Sequence, residues 1–168
     1  AYFAYLNGYQ STLMAPTEIL AKQHCDTLYK FLAPLGVTIA LLTGSQTPAQ
    51  KKQIRQLIAD GQIDVAVGTQ ALIQKSTRFS SLGLVITDEQ HRFGVGQRAA
   101  LGSKGNEPHV LVMSATPIPR TLGMIIYGDL DISILDEMPK GRLPIRTYAV
   151  DTSYRERLYR FILKYVNN

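Results

Sequence analysis

Residues 84–91 read Leu-Val-Ile-Thr-Asp-Glu-Gln-His, a run of strand-forming residues that ends directly in two carboxylates. The run Leu84–Thr87 is apolar or β-branched throughout, without alternating polar residues, which is typical of a strand covered on both faces of its sheet. Helices on both faces of a sheet are a feature of α/β proteins with parallel strands. The stretch therefore predicts a buried parallel strand with Asp88 and Glu89 at its carboxyl end.

Further strand-like runs alternate with helical segments along the chain. The predicted strands are Ser11–Met14, Val37–Leu42, Val65–Val67 and Val110–Met113, with weaker signals over Ile132–Leu135 and Ile145–Val150. Helices are predicted over Thr17–Phe31 and Thr47–Asp60; in the second, Thr47 suits the N-cap position and Pro48 the first turn. Repeated strand–helix–strand units favour parallel crossovers. The predicted fold class is α/β, a mostly parallel sheet with helices on both faces.

Composition excludes several classes of protein. The 168 residues are 45% hydrophobic and 18% charged, which provides enough apolar material for a core and excludes a disordered chain. No apolar run approaches the roughly 18 residues of a membrane span, the first residues lack the pattern of a secretory signal, and Cys25 is the only cysteine in the sequence. We therefore predict a cytoplasmic protein with no membrane partner, no disulfide framework and no cysteine-based metal site.

The formal net charge of +5 is concentrated in the C-terminal 29 residues. That segment carries seven basic and two acidic side chains, whereas residues 1–139 are neutral overall. A change of composition at residues 139–144, Pro-Lys-Gly-Arg-Leu-Pro, accompanies the shift in charge. We predict one domain over 1–139 and a basic connector with a helix over 140–168. The basic side chains either form a solvated helix face or bind phosphates.

Small hydroxyl, glycine or acidic residues follow each of the five stronger predicted strands. They are Ala15-Pro16-Thr17-Glu18, Thr43-Gly44-Ser45, Gly68-Thr69-Gln70, Asp88-Glu89-Gln90-His91 and Ser114-Ala115-Thr116-Pro117. Ligands of parallel α/β sheets collect at the carboxyl ends of the strands, so these residues predict a surface for phosphates and a metal. Asp88 is suited to hold Mg²⁺, and Glu89 to orient or deprotonate an attacking water. The alternative is a surface acidic pair that opens a helix.

These segments resemble, in order and spacing, the motifs of superfamily 2 helicases. Asp88-Glu89-Gln90-His91 is similar to motif II (Walker B), Ser114-Ala115-Thr116 to motif III, Ala15–Glu18 to motif Ia, Thr43–Ser45 to the glycine loop after it, and Gly68-Thr69 to motif Ib. Longer blocks such as MAPTEILAKQH, DEQHRFGVGQR and MSATPIPRTL resemble the RecG family of ATP-dependent DNA helicases over nearly the whole chain. The resemblance implies a RecA-like motor domain of the P-loop NTPase type. It also implies the remodelling of branched DNA, such as replication forks and Holliday junctions, in recombination and repair.

The resemblance further implies roles for individual residues. The implied catalytic residues are Asp88, which coordinates Mg²⁺, and Glu89, Gln90 and His91. The residues implied to couple the nucleotide to DNA are Ser114, Ala115 and Thr116. The implied DNA-phosphate contacts are Pro16, Thr17, Gly44, Ser45, Gly68 and Thr69, through backbone N–H groups and hydroxyls that read no bases. ATP and Mg²⁺ are the implied cofactors, and branched DNA is the implied partner.

The phosphate-binding loop of such motors, G-x-x-x-x-G-K-[ST], has no counterpart in the 168 residues, which contain no Gly-Lys-Ser or Gly-Lys-Thr. We expect the loop before Ala1, and the arginine fingers on a second RecA-like domain after Asn168, in the same polypeptide. The chain is then an N-terminally truncated motor domain that is inactive as an ATPase by itself. Three alternatives stay open. One is a motor segment of a transcription-repair coupling factor, a family that typically reads DEEH where this chain has Gln90. The second is a non-catalytic nucleic-acid-binding module that lost its phosphate loop, and the third is a nucleotide-independent α/β binding protein, which would leave Asp88 and Glu89 without a role.

Other residues with chemical potential are interpreted as structural. His24 and His109 lie in or beside apolar stretches, with no second ligand at metal spacing, and are predicted to be ordinary packed or half-exposed histidines. Lys51, Lys52 and Arg55 lie on the second long helix. We predict that they form its solvated outer face.

Overall fold

The computed structural model describes residues 1–89, 101–115, 131–137, 141–142 and 145–166. The chain divides into two units, Ala1–Ile118 and Pro119–Asn168. The predicted connector at residues 139–144 belongs to the second unit, and the predicted domain boundary between residues 139 and 140 stays a prediction. Among the described residues, every helix is too short or too polar to span a bilayer.

A parallel sheet is the framework of the first unit. Its strands in the described residues are β1 (Gln10–Met14), β2 (Ile39–Leu42), β3 (Val65–Gly68), β4 (Leu82–Thr87) and β5 (His109–Val112). They lie in the order β2-β3-β1-β4-β5, and every neighbouring pair is parallel. The predicted α/β class with a parallel sheet is confirmed.

Helices connect the strands and also occur in the second unit. The helices that lie wholly within the described residues are α1 (Tyr2–Leu6), α2 (Glu18–Leu32), α3 (Pro48–Ala59) and, in the second unit, α4 (Arg155–Val166), with 3-10 turns at Ala33–Leu35, Gln70–Leu72 and Thr152–Tyr154. The predicted start of α3 is confirmed. The Thr47 hydroxyl accepts the backbone N–H of Gln50 (3.3 Å), and the Gln50 side-chain oxygen accepts the N–H of Thr47 (3.0 Å). Gly61 follows the helix with φ +73°, the left-handed conformation that commonly ends helices.

Two apolar clusters cover the two faces of the sheet. All five residues of β1 are buried. Met14 belongs to the cluster that includes Ile58 of α3, whereas its neighbour Leu13 belongs to the cluster that includes Ala21 of α2. Because successive side chains of a strand point to opposite faces, α2 and α3 cover opposite sides of the sheet. This burial on both sides is why the strands read as continuous apolar runs in the sequence.

The two weaker strand predictions, Ile132–Leu135 and Ile145–Val150, are wrong. Both segments are without helix or strand, and their apolar side chains reach 99% exposure at Leu135 and 83% at Ile145. No strand of the described residues pairs with either segment. A β-branched run forms a strand only where a neighbouring strand offers backbone partners and a surface for packing.

The amide of Gln10 ties together the amino-terminal edge of the sheet. Gln10 is 5% exposed at the start of β1. Its Nε2 donates to the carbonyl oxygens of Ile58 (2.9 Å) and Ile63 (2.7 Å). Its Oε1 accepts the backbone N–H groups of Ser80 (2.8 Å) and Ser81 (3.1 Å). One side chain thus satisfies four backbone groups, from the end of α3 and from the segments that lead into β3 and β4.

Gln10→Leu is expected to destabilise the chain by about 3–5 kcal/mol, because an apolar side chain of similar size leaves four backbone groups without their partners. Urea unfolding followed by circular dichroism measures the change. Gln53→Leu is the matched control, because Gln53 is exposed on α3 and its side chain forms no hydrogen bond with the described residues. Equal free energies of unfolding for the two variants would contradict the role of the Gln10 amide.

Candidate active site

The register of the parallel pairs brings the carboxyl ends of the strands to one level. Met14, the last residue of β1, pairs with Gly68, the last of β3, and with Thr87, the last of β4. Gly68 also pairs with Leu42 at the end of β2, and Thr87 pairs with Val112 at the end of β5. The loops after these strands therefore meet along one edge, where parallel sheets bind their ligands.

The order of the strands sorts the predicted site residues into two adjacent groups. At the ends of β2, β3 and β1, three neighbours in the sheet, lie the predicted DNA contacts Gly44, Ser45, Gly68, Thr69, Pro16 and Thr17. Asp88 and Glu89 follow β4, and Ser114 and Ala115 follow β5. Neighbouring strands are about 4.8 Å apart, so the two groups share one edge and meet between β1 and β4. The other predicted site residues, Gln90, His91 and Thr116, lie outside the described residues.

Asp88 is held in place at the junction of β1 and β4. Its backbone N–H donates to the carbonyl oxygen of Met14 (3.0 Å), which continues the strand pairing by one residue. Its Oδ1 accepts the N–H of Glu89 (2.9 Å), and its Oδ2 lies 2.6 Å from Nε2 of His24. The side chain is 19% exposed, so the carboxylate has a fixed direction and still reaches the surface of the edge.

His24 is half-exposed, as predicted, but its contact with the Asp88 carboxylate was not predicted from the sequence and makes it a further candidate site residue. Its ring contacts the Asp88 carboxylate, with 29% of the side chain exposed. On α2, Leu20, His24 and Leu28 recur every four residues, and both leucines pack in the apolar cluster beneath the helix. A polar ring on this buried stripe is the signal in the sequence. Its carboxylate partner follows only from the order of the strands.

Glu89 adopts a backbone conformation that is uncommon for a residue with a side chain. Its φ is +51°, in the left-handed region, which costs a non-glycine residue on the order of 1–2 kcal/mol. The hydrogen bond from its N–H to Oδ1 of Asp88 (2.9 Å) holds this turn. Residues with strained backbones cluster at functional sites, where the benefit of an exact side-chain position to function exceeds the cost in folding stability. Because Glu89 also lies at the carboxyl edge of the sheet, next to Asp88, its conformation supports it as a candidate functional residue.

The loop after β2 is fastened to both long helices of the unit. Oε1 of Glu18, on α2, accepts the backbone N–H of Ser45 (2.9 Å). Nζ of Lys51, on α3, donates to the carbonyl oxygen of Gly44 (2.8 Å). A Cβ on Gly44 would lie 3.2 Å from Oε1 of Glu18, so little space is left for a side chain there. These contacts fix the backbone of a predicted DNA contact.

The surroundings of Glu18 favour its ionised form. Hydrogen bonds from the hydroxyl and the backbone N–H of Ser45 hold the pKa of Glu18 below its ordinary value, and the Gly44 N–H and the Lys51 ammonium act in the same direction. Glu18 also lies in the first turn of α2, directly after the N-cap Thr17, where a negative charge is favourable. Glu18 lies in the segment similar to motif Ia, but no role is predicted for it from the sequence, although it joins the loops after β1 and β2.

The family profile of the DEAD/DEAH box helicases matches residues 3–125, which include this edge of the sheet. The chain therefore belongs to the DEAD/DEAH box helicase family. The order of motifs along the sequence predicts the same superfamily, and that prediction is confirmed.

Several similar proteins are RecG helicases. The chain is 51% identical over 163 residues to the ATP-dependent DNA helicase RecG of Bacillus subtilis, covering 97% of this chain and 24% of that protein. It is 55% identical over 156 residues to RecG of Aquifex aeolicus, covering 92% of this chain and 20% of that one. A solved structure of RecG bound to a three-way DNA junction matches with a TM-score of 0.76 and 44% identity, over 92% of this chain and 21% of that chain.

The predicted resemblance to RecG-type helicases and the RecA-like fold are confirmed. The chain spans about a quarter or less of the length of these relatives.

Acidification is expected to release Ser45 from Glu18. Because the pKa of Glu18 is lowered in the folded chain, the ionised contact is fully present above the ordinary value of 4.5 and is lost as the pH falls through the folded pKa. The Ser45 amide resonance, followed by ¹⁵N NMR against pH, should move with this titration. The movement should vanish in Glu18→Gln and persist in Asp26→Asn, which neutralises an exposed carboxylate on the same helix. A Ser45 amide resonance whose chemical shift does not change with pH would refute the contact.

A double-mutant cycle of His24→Ala and Asp88→Ala is expected to reveal a coupling free energy of about 1–2 kcal/mol, the size of a hydrogen bond to a charged group with limited exposure. Urea unfolding of the two single variants and the double variant measures it. His109→Ala combined with Asp88→Ala is the control cycle, because His109 is exposed at the start of β5 and should show no coupling. A coupling near zero in the first cycle would mean that the His24–Asp88 contact adds nothing to stability.

Proposed function

We propose that this chain is part of the motor of an ATP-dependent DNA helicase that remodels branched DNA in recombination and repair. The observation that carries the proposal is the shared edge on which Asp88 and Glu89 adjoin three loops suited to DNA phosphates. The 51% identity with a protein named ATP-dependent DNA helicase RecG supports the activity. The match to RecG bound to a three-way DNA junction supports a branched substrate.

Asp88 is proposed as the protein ligand of a magnesium ion that accompanies ATP. Mg²⁺ binds through one or two carboxylates and completes its shell with water and substrate phosphates. Within the described residues, no group of three or more His, Cys, Asp or Glu side chains is placed to hold a metal by itself. A partly exposed carboxylate at the edge, oriented by His24 and the Glu89 N–H, fits an ion shared with a nucleotide. When bound, the ion neutralises charge on the phosphate oxygens.

Glu89 is proposed to orient and deprotonate the water that attacks the terminal phosphate. A general base has to reach that water with its carboxylate, and the left-handed turn at φ +51° sets where the side chain leaves the backbone. Gln90 and His91 are its proposed partners in this step. Coupling to DNA is assigned to the segment after β5: Ser114, Ala115 and Thr116. Because β4 and β5 are neighbours, the path from the nucleotide to that segment is short.

The loops after β1, β2 and β3 are proposed to bind DNA phosphates, through Pro16, Thr17, Gly44, Ser45, Gly68 and Thr69. Their hydroxyls and backbone N–H groups bind phosphate without reading bases, as a motor that steps along any sequence requires. The N-terminus of α2, capped by Thr17, begins at this edge and favours an anion. Gly68 has no side chain and contributes through its backbone. No larger residue fits at this position, because a Cβ there would lie 2.1 Å from the Leu42 carbonyl oxygen.

Other parts of the motor are proposed to lie on other segments of the same polypeptide. Motors of this type use a phosphate-binding loop and arginine fingers, and the 168 residues contain no Gly-Lys-Ser or Gly-Lys-Thr. We therefore propose that these residues alone turn over no ATP. In the same proposal, residues 140–168 connect residues 1–139 to a second motor domain, and the whole protein acts on DNA in the cytoplasm.

Glu89→Gln, in a full-length protein that carries this segment, is expected to lower kcat for DNA-stimulated ATP hydrolysis by about 10²–10⁴, the typical contribution of a general base, while ATP binding persists. Phosphate release and binding of a fluorescent ATP analogue measure the two quantities. Glu107→Gln is the control, because Glu107 is exposed and shares the φ of +51° but precedes β5, away from the carboxyl edge. An unchanged kcat in Glu89→Gln would exclude Glu89 as the base.

A further inference from the structure

A basic depression lies on the outer side of α3, apart from the carboxyl edge of the sheet. It has a volume of about 280 Å³ and is lined by Lys52, Arg55, Gln56, Ala59, Ser76 and Arg78. We call this surface the α3 patch. Among the described residues, its lining offers ammonium, guanidinium, amide and hydroxyl donors but no carboxylate. Its chemistry therefore suits an anion.

Arg55 and the neighbouring Lys104 are anchored to the loop that precedes β4. Nε of Arg55 donates to the Thr77 hydroxyl (3.2 Å), and its Nη2 donates to Oε1 of Gln74 (2.5 Å). Nζ of Lys104 donates to the carbonyl oxygens of Gln74 (2.8 Å) and Thr77 (2.7 Å). These bonds fix two positive charges beside the patch. The prediction of a merely solvated outer face is therefore wrong for Arg55, which is half-buried.

Two exposed cations of the patch are without a charged partner among the described residues. The side chains of Lys52 and Arg78 form no hydrogen bond or ion pair with any described residue. Burial first, and then the charges of Arg55 and Arg78, lower the pKa of Lys104, so these cations are close enough to repel one another. The carboxylate of Asp60 accepts hydrogen bonds from an amide of the patch (2.9 and 3.1 Å) and pairs with none of the cations. A bound anion would relieve the repulsion.

We propose that the α3 patch binds the phosphate backbone of duplex DNA, as a second contact surface away from the carboxyl edge. The inference rests on the proposed function insofar as DNA is the ligand. Guanidinium groups match phosphate oxygens with two parallel hydrogen bonds, and an open depression suits an extended backbone better than an enclosed small molecule. The loop that carries Ser76 and Arg78 begins at Thr69, a proposed DNA contact, so the same loop serves both surfaces.

Fluorescence anisotropy of this 168-residue chain with a labelled duplex of about 30 base pairs, at several KCl concentrations, tests the proposal. Lys52→Ala with Arg78→Ala should weaken binding roughly tenfold per lost phosphate contact at about 50 mM KCl, and should reduce the slope of log K against log[KCl] by about 1–2. Lys22→Ala with Lys30→Ala removes two exposed charges from α2 and should leave the slope unchanged. Lys52→Arg with Arg78→Lys should keep the slope of the unsubstituted chain. Thermal unfolding checks that every variant is folded.

Thr69→Ala separates this surface from the carboxyl edge, because removing a neutral hydroxyl should lower the affinity and keep the slope. An unchanged slope in Lys52→Ala with Arg78→Ala overturns the α3 patch, and the proposed DNA contact at the edge survives if Thr69→Ala weakens binding. Labelled polyglutamate is the second probe. If the patch variant loses polyglutamate binding and keeps DNA binding, the patch recognises an acidic protein segment and the inference is overturned. If the unsubstituted chain binds no duplex even at about 25 mM KCl, both surfaces are refuted.

Discussion

Gly68 ends β3 in a space that has no room for a side chain. A Cβ there would lie 2.1 Å from the carbonyl oxygen of Leu42 and 3.1 Å from Cγ of Leu72. Its own carbonyl oxygen accepts the N–H of Ala15 (2.9 Å), and the N–H of Thr69 reaches the Leu42 carbonyl (3.3 Å). The close approach of β2, β3 and β1 therefore depends on glycine. Because these three strands lie so close together, the loops that follow them leave the sheet at one level, on the same edge as the carboxylates after β4.

Helix α2 joins the two halves of this edge. In its first turn, Glu18 accepts the N–H of Ser45, and less than two turns later His24 contacts Asp88. Six residues of helix span about 9 Å, a length over which a helix is rigid. The same element therefore touches a loop proposed for DNA and the carboxylate proposed for magnesium. A rearrangement of Asp88 that moves His24 has a direct route to Ser45. No role is predicted from the sequence for either Glu18 or His24, although Glu18 lies in the segment similar to motif Ia.

The class of fold follows from residues that are neighbours in sequence, whereas the site depends on topology. Thr47 and Gln50 specify the start of α3 because a cap is made within one turn. The position of β1 between β3 and β4 has no such local signal, since the sequence of a crossover connection does not determine on which side of the sheet the next strand is added. His24 and Asp88, 64 residues apart, therefore meet without any pattern that pairs them. The false strand at Ile132–Leu135 has the same origin, because composition does not reveal whether a partner strand is available.

In the proposed arrangement, two kinds of hydrogen-bond donor bind DNA at two different surfaces. At the carboxyl edge the donors are neutral hydroxyls and amides, each contributing about 1 kcal/mol net and with little dependence on salt. The α3 patch offers Lys and Arg, whose contribution comes from the release of counterions and acts over a longer range. A stepping motor breaks the contacts at its moving site in every cycle, and neutral contacts need less free energy to break. Unneutralised cations beside Asp88 and Glu89 would instead pair with those carboxylates and compete with magnesium, so a basic surface serves the motor best at a distance from them.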